Sequence, residues 1–327
     1  MAELKRGTVA EWRPLSPIAA IFRLRPEEGS FFPDYKAGQY MALRREACRL
    51  TRRVVGQDGR PHFVSAVDEA GHQRFGPVTH SYSISSAPWE TVERGHVEFY
   101  VVLETGEDGH PGRLTESLFH VKPGEDDQLE YVNRIVGDFT LDKRAPGFSS
   151  VLLVGTGTGL APFAAMIKQI HRDAAHGKSD GVHYTLFHAN RTPGELGYHE
   201  TLLEIQAAAK FDFVYVPSVS RPTPRDRDDP ALGTGRANNL LRHVFEMPMK
   251  EEEAARDSEA VGDGAATRAA LDRAVRPRLP ARAPLALLRE RLDPGRTVIL
   301  TCGNPSLMAD IKAVADSNGI RFEKEDW

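Results

Sequence analysis

Three glycines at alternate positions, Gly155, Gly157 and Gly159, with Thr156 and Thr158 between them, follow the apolar residues Val151 to Val154 and precede Pro162. Residues of these types in this order have a definite chemistry. Glycine permits a tight turn, and main-chain N–H groups can then approach an anion that a Cβ would hold away. Pro162 suits the first turn of the helix expected over Phe163 to His171, because its missing donor would have no partner there. The spacing is Gly-x-Gly-x-Gly-x-x-Pro, so the Gly-x-Gly-x-x-Gly dinucleotide fingerprint is not met. Alone, the run fits an ordinary strand-to-helix turn as well as a phosphate cradle.

Two other stretches carry residues of useful type. His80-Ser81-Tyr82-Ser83 places an aromatic ring and hydroxyls on a short strand. Tyr82 can lie flat on a planar ligand while Ser83 offers a donor to its edge. Gly112-Arg113-Leu114-Thr115 precedes a helix-like segment from Glu116 to His120, which predicts Thr115 as an N-cap with free N–H groups for an anion. Each also fits plain structure, a half-buried strand in one case and a simple cap in the other.

The elements that must position these groups differ between the two ends of the chain. Residues 1 to about 145 are read as β-rich, with short apolar runs at Ile18 to Leu24, Tyr40 to Leu43, Tyr82 to Ile84, Val97 to Leu103 and Leu129 to Val132. Short strands without long helical patterns favour a small antiparallel barrel or sandwich. The polar segment from Arg49 to Thr79 is either an insertion or two extra strands, with Gln57 to Pro61 as a turn. From about residue 146 strands and helices alternate. Strands are expected at Val151 to Val154, Val182 to Phe187, Phe213 to Val219 and Thr297 to Thr301, and helices at Phe163 to His171, Tyr198 to Ala209 and Leu307 to Asp316. That alternation implies a parallel sheet covered on both faces, with ligands at the carboxyl ends of its strands. Gly155 to Gly159, His188 to Arg191, Ser220-Arg221 and Cys302 to Pro305 would then share one rim. Residues 250–284, rich in Ala, Arg, Asp and Glu, are read as an insertion, exposed and partly helical.

Composition narrows the classes. A chain of 327 residues has room for two cores, and 40% apolar with 27% charged residues is ordinary for a globular protein. A formal charge of −4 makes no case for nucleic acid. The start of the chain has no secretory apolar core and no 18-residue apolar run occurs, so a cytoplasmic protein without a membrane partner is expected. Cys48 and Cys302 are the only cysteines, too few for an iron–sulfur cluster or a Cys-rich zinc site within this chain.

Taken in order, these pieces resemble the ferredoxin–NADP(+) reductase family, most closely its bacterial ferredoxin/flavodoxin reductases. The resemblance runs through Gly38-Gln39-Tyr40, Tyr82-Ser83, Phe99-Tyr100-Val101-Val102, Gly112 to Thr115, Gly137 to Thr140 and Gly155 to Pro162. It continues through Ser220-Arg221, Gly233 to Arg236, Cys302-Gly303-Asn304-Pro305 and a terminal aromatic, Trp327. It implies an N-terminal antiparallel β-barrel that binds flavin (1–145) and a C-terminal α/β parallel-sheet domain that binds NADP (146–327). It further implies that Tyr82 packs on the isoalloxazine of FAD and that Ser83 bonds near its N5. Ser81, Tyr100, Val101, Val102, Gly112, Leu114 and Thr115 are implied as further FAD contacts. His80 stands where the family has an arginine for the FAD pyrophosphate, and a mostly neutral imidazole is a weaker anion partner. Arg191, Ser220, Arg221 and Arg236 match positions that grip the 2′-phosphate of NADP, with Gly155 to Gly159 and Pro162 at the dinucleotide. Cys302 and Gly303 are implied beside the nicotinamide, with the thiol positioning and not attacking. Trp327 is implied over the flavin face, and Glu325 matches a carboxylate two residues before the terminus in plant-type members. The activity implied is electron transfer between NADPH and ferredoxin or flavodoxin through FAD, in a monomer without metal. A stand-alone NAD(P)H reductase for an oxygenase, or a barrel without flavin that only binds a partner, are the alternatives.

Overall fold

The computed structural model describes residues 3–56, 59, 61–103, 105, 110–261 and 265–325. The chain divides into two compact units, Met1–Gly137 and Asp138–Trp327. Trp327 lies outside the described residues, as do Gln57, Asp58 and Arg60 of the expected turn.

The first unit is built from β1 (Leu4–Ser16), β2 (Ala19–Pro26), β3 (Tyr40–Arg49), β4 (Thr51–Val55), β5 (Pro61–Ser65), β6 (Phe75–Ser83) and β7 (Val97–Val102). Helices α1 (Pro88–Arg94) and α2 (Arg113–Leu118) and strand β8 (Gln128–Val136) complete it. Six strands make one antiparallel sheet in the order β6-β3-β8-β1-β2-β7. Its two edges meet where Ile84 bridges Phe99 and the Ser85 N–H donates to the Glu98 carbonyl at 2.9 Å, which closes the sheet into the expected barrel. Closure removes the unpaired edges that would otherwise seek another strand. Inward residues of every strand fill the interior, with Phe22 stacked on Phe99 and on Trp12.

Between Arg49 and Phe75, which pair across β3 and β6, the chain leaves the barrel as a separate ribbon, β4 on β5. Of the two alternatives for this segment, the structure has two extra strands. The Gln73 amide holds their base by donating to the carbonyls of Leu50, Ala66 and Arg74.

The second unit contains α3 (Leu141–Arg144), β9 (Ser150–Thr156), α4 (Ala161–Ala175), β10 (His183–Asn190), α5 (His199–Ala208), β11 (Phe213–Val219), α6 (Pro224–Asp228), β12 (Gly233–Thr234) and α7 (Ala237–Val244). It continues with α8 (Lys250–Val261), α9 (Ala265–Arg273), α10 (Leu285–Arg291), β13 (Thr297–Cys302), α11 (Pro305–Ser317) and β14 (Arg321–Lys324). The strands form one parallel sheet in the order β12-β11-β10-β9-β13-β14. The central strands are mostly apolar because both faces are covered: every residue of β9 and of β13 is buried. Helices α7, α10 and α11 pack one face through Leu240, Leu241, Leu288, Ile311 and Val314. The segment expected as an insertion forms α8 and α9. Their attachment is a buried polar cluster: Asp310 on α11 accepts from Arg242 on α7 at 2.7 and 2.9 Å and from Lys250 on α8 at 3.0 Å.

Candidate functional site

The glycine loop sits where β9 ends. Gly157–Leu160 makes one 3-10 turn, and α4 follows with Pro162 in its first turn. A Cβ on Gly159 would meet the Cys302 carbonyl oxygen at 2.2 Å and the Gly303 nitrogen at 2.6 Å. Gly303 is the reciprocal case, with φ at +128° and Thr156 Oγ1 2.2 Å from where its Cβ would stand. These two glycines therefore interlock the loops after β9 and β13. This modifies the expectation from the loop alone: the close approach that Gly159 permits is to the protein's own main chain. Gly157, with nothing within 4 Å of a Cβ, is the position that leaves open space for an anion.

The interlock holds Cys302 at the end of β13. Its thiol donates to Glu325 Oε2 at 2.8 Å, and both groups are buried, the thiol completely. The Glu325 N–H donates to the Thr301 carbonyl at 3.0 Å, so the β13–β14 pairing itself delivers the carboxylate. Burial, then the Glu325 charge and hydrogen bond, push the Cys302 thiol well above its ordinary range. A thiol so held stays protonated and does not serve as a nucleophile. The site can hold a proton at Sγ and present a small, neutral surface.

Farther along the same rim, β10 and β11 run out together. Ser220 donates its N–H to the Asn190 carbonyl at 2.9 Å and Arg221 to the Arg191 carbonyl at 2.8 Å, so the two arginines are main-chain neighbours. Neither guanidinium has an ion-pair partner among the described residues. Arg236 differs: it precedes α7 and stands 3.6 Å from Glu251 on α8. The second unit thus gathers the loop glycines, Thr156, Thr158, Arg191, Ser220, Arg221, Cys302 and Gly303 at the carboxyl ends of neighbouring strands.

In the first unit, Tyr82 and Thr115 come together, with their hydroxyls 2.9 Å apart. Burial pushes the Tyr82 phenol up to about 12, and this bond fixes the ring as a half-buried platform with its edge toward Phe99. The expected N-cap is corrected. Helix α2 spans Arg113–Leu118 with Gly112 at the N-cap, and Thr115 lies inside the first turn with its hydroxyl spent on Tyr82. Arg113 and Leu114 form good helix, and it begins three residues earlier than expected. The side chains of Val101 and Leu114 are spent in the barrel core, so only their main chain can reach a ligand, while Tyr100 is buried and Val102 half-buried. Ser83 is buried, and Ser81 and His80 are exposed. Partial desolvation, then the charge of Arg113, lower the His80 pKa, so this imidazole is a poor cation. Sequence reasoning passed over Arg113, although it sits inside the Gly112 to Thr115 motif. The pieces fit a flavin: a fixed aromatic platform, a nearby hydroxyl, and a cation at a helix start for a pyrophosphate.

The family model described as "Oxidoreductase NAD-binding domain" matches residues 153–255. The flavodoxin/ferredoxin–NADP reductase of Rhodobacter capsulatus is 34% identical over 128 residues, 39% of this chain and 41% of that protein. The matched stretch thus spans about two-fifths of that relative's length. The ferredoxin–NADP reductase of Pseudomonas aeruginosa is 24% identical over 259 residues, 75% of this chain and 74% of its own. Among solved structures, a ferredoxin NADP+ reductase from Neisseria gonorrhoeae with bound FAD and NADP aligns over 99% of both chains with a TM-score of 0.61 at 18% identity, a likeness of fold. No helix among the described residues is long and apolar enough to cross a membrane.

Proposed function

Because the chain belongs to the ferredoxin/flavodoxin–NADP(+) reductase family, we propose that it is an FAD-dependent oxidoreductase carrying electrons between NADPH and a ferredoxin or flavodoxin. The observation that carries this reading is the single rim of the second sheet. An open glycine turn, two guanidiniums without an ion-pair partner among the described residues, and a buried Cys302–Glu325 pair stand there at the ends of neighbouring strands.

Each group then has a task. The loop at Gly157 receives the dinucleotide's phosphates on main-chain N–H groups. Arg191 and Arg221 clamp the 2′-phosphate, whose nearly two negative charges suit paired guanidiniums. The neutral Cys302 thiol and the Cβ-free Gly303 set how closely the nicotinamide can lie. Tyr82 orients the isoalloxazine, Ser83 donates to its edge, and Arg113 with His80 faces the pyrophosphate. The flavin, when bound, supplies the conversion between a two-electron hydride and single electrons. The protein contributes position, and catalysis is mainly of that kind. The cytoplasm is the proposed compartment, a setting in which two free thiols stay reduced, and a monomer the proposed state.

Anaerobic titration of the purified protein tests this. NADPH should bleach a flavin absorbance, and oxidised ferredoxin or flavodoxin should restore it. A colourless protein, or a flavin indifferent to NADPH, would refute the reading.

A further inference from the structure

The ribbon of β4 and β5 takes no part in the site described above. Its strands pair only with each other, so each keeps one unpaired edge. A lone pair of strands is marginal in water and gains from a third strand or a covering surface. Pairing sets Arg53 opposite Phe63 and Val55 opposite Pro61, so these four share one face, with Arg52 on the other.

Four large apolar side chains are exposed on this excursion. Val55 and Phe63 lie on the shared face, 70% and 48% exposed, and Val67 and Phe75 stand at the base, 48% and 64% exposed. Among the described residues only Leu4, Phe31 and Val92 are other large apolar side chains so exposed. A cluster of this kind marks an interaction surface, whereas single exposed apolar residues are ordinary. The charge is as localised. The two strands carry Arg52 and Arg53 and no carboxylate, in a chain of formal charge −4. Arg74 adds a cation at the base. All three are exposed and have no ion-pair partner among the described residues, whereas Arg49 is spent on Glu116 at 3.0 Å. Asp68 and Glu69 lie in the turn beyond β5, where Asp68 accepts from the N–H groups of Ala70 and His72 at 2.9 Å.

Apolar side chains flanked by free guanidiniums fit an acidic protein surface. A second copy fits poorly, because a twofold contact would set these arginines against their own counterparts. A membrane fits poorly too, because Gln57, Asp58 and Arg60, which join the strands, are polar by type. The ribbon leaves the barrel at Phe75, and Tyr82 lies farther along the same strand, about 23 Å away. A carrier of about 100 residues is roughly 30 Å across, so one seated on the ribbon spans that distance.

We propose that the β4–β5 ribbon is a docking arm for an acidic one-electron carrier protein, with Arg52, Arg53 and Arg74 meeting its carboxylates and Val55, Phe63, Val67 and Phe75 covered by it. The arm is separate from the residues assigned to the cofactors. The identity of the carrier rests on the reductase reading above.

Calorimetric titration of the intact protein with oxidised ferredoxin, with oxidised flavodoxin and with cytochrome c, a basic carrier, tests it. Arg52→Glu combined with Arg53→Glu should weaken the acidic carrier at least about tenfold at low salt, and the difference should shrink as salt screens it. Cytochrome c should not be weakened. Phe63→Ser combined with Phe75→Ser should weaken the acidic carrier about fivefold at every ionic strength. Thermal melting and NADPH-driven flavin bleaching should be unchanged in both variants. Binding of neither acidic carrier, unchanged binding in either variant, or an equal loss for cytochrome c overturns the proposal. So does a dimer in light scattering that the phenylalanine substitutions separate, or sedimentation with phosphatidylglycerol vesicles that they abolish. Docking without NADPH-driven bleaching would sink the reductase reading and spare the arm, and bleaching with docking indifferent to the ribbon would do the reverse.

Discussion

The interlock of Gly159 with the Cys302–Gly303 turn makes a quantitative forecast for Gly159→Ala. The added methyl would stand 2.2 Å from the Cys302 oxygen, 2.4 Å from its carbonyl carbon and 2.6 Å from the Gly303 nitrogen. All three are main-chain atoms. Cys302 is also held in register with Gly155 by the β9–β13 pairing, so no flexible side chain can give way. Restoring ordinary contact needs a backbone shift of about 1 Å, and overpacking of this kind costs roughly 1–3 kcal/mol, here at the upper end. For a unit of this size that lowers Tm by roughly 6–12 °C. The displaced Cys302 turn should also slow flavin reduction by NADPH at saturation, since a misplacement of about 1 Å at a positioning group can cost up to ~100-fold. Gly157→Ala is the internal control. Its Cβ meets nothing within 4 Å and its φ is +57°, so the cost is only the left-handed backbone, about 1 kcal/mol or roughly 2–4 °C. Thermal melting by circular dichroism and stopped-flow bleaching measure both. Equal melting shifts for the two variants, or a Gly159→Ala protein of normal reduction rate, would refute the argument.

Arg221→Ala should raise the NADPH KM by roughly 10- to 100-fold, the worth of charge-assisted hydrogen bonds to a phosphate, and leave the NADH KM within about twofold. Steady-state kinetics with both nucleotides decide this, and an equal rise for the two removes the case for 2′-phosphate recognition. His188 is fully buried with Nδ1 2.9 Å from the Tyr215 hydroxyl, and burial, then His199, push its pKa down from 6.5 to about 3. The unfolded chain therefore binds the extra proton first. This contribution to stability is complete above pH 6.5 and is lost as pH falls toward 3, by up to about 1.4 kcal/mol per pH unit. Chemical denaturation of His188→Gln across that window should show a shallower slope than the parent, and identical slopes would exclude the histidine as the source.

What the sequence disclosed follows burial. Strands β9, β10, β11 and β13 lie inside a parallel sheet and are buried along nearly their whole length, so their apolar residues stand out as runs. Strand β1 does not. Its residues are mostly half-buried or exposed, and its pairing with β2 is interrupted between Val9 and Glu11 and between Pro14 and Ser16, so no clean alternation survives. The Thr115 cap was misjudged because Thr is the better cap by type, while the helix here takes glycine and starts at Arg113. The arm at α8 and α9 was legible only as charge. In a linear chain Lys250, Glu251 and Glu253 look like a solvated face. Their partners Asp310, Asn239 and Arg242 lie on other helices and become neighbours only through tertiary packing.

Two kinds of candidate site residue differ in what they show in a linear sequence. Glycines declare themselves in sequence because the backbone leaves them no alternative: Gly159 and Gly303 are imposed by a main-chain contact that excludes every other residue. The Cys302–Glu325 pair declares nothing, since each residue has a bland explanation and 23 positions separate them. What joins them is the last rung of a parallel ladder, Glu325 N–H to the Thr301 carbonyl, which points the carboxylate at the thiol. A carboxylate accepting from a buried Sγ–H holds that proton in place and blocks thiolate formation. The pair is therefore suited to keep Sγ protonated and the turn after β13 of fixed volume, a role that depends on the edge strand β14 and would be lost with it.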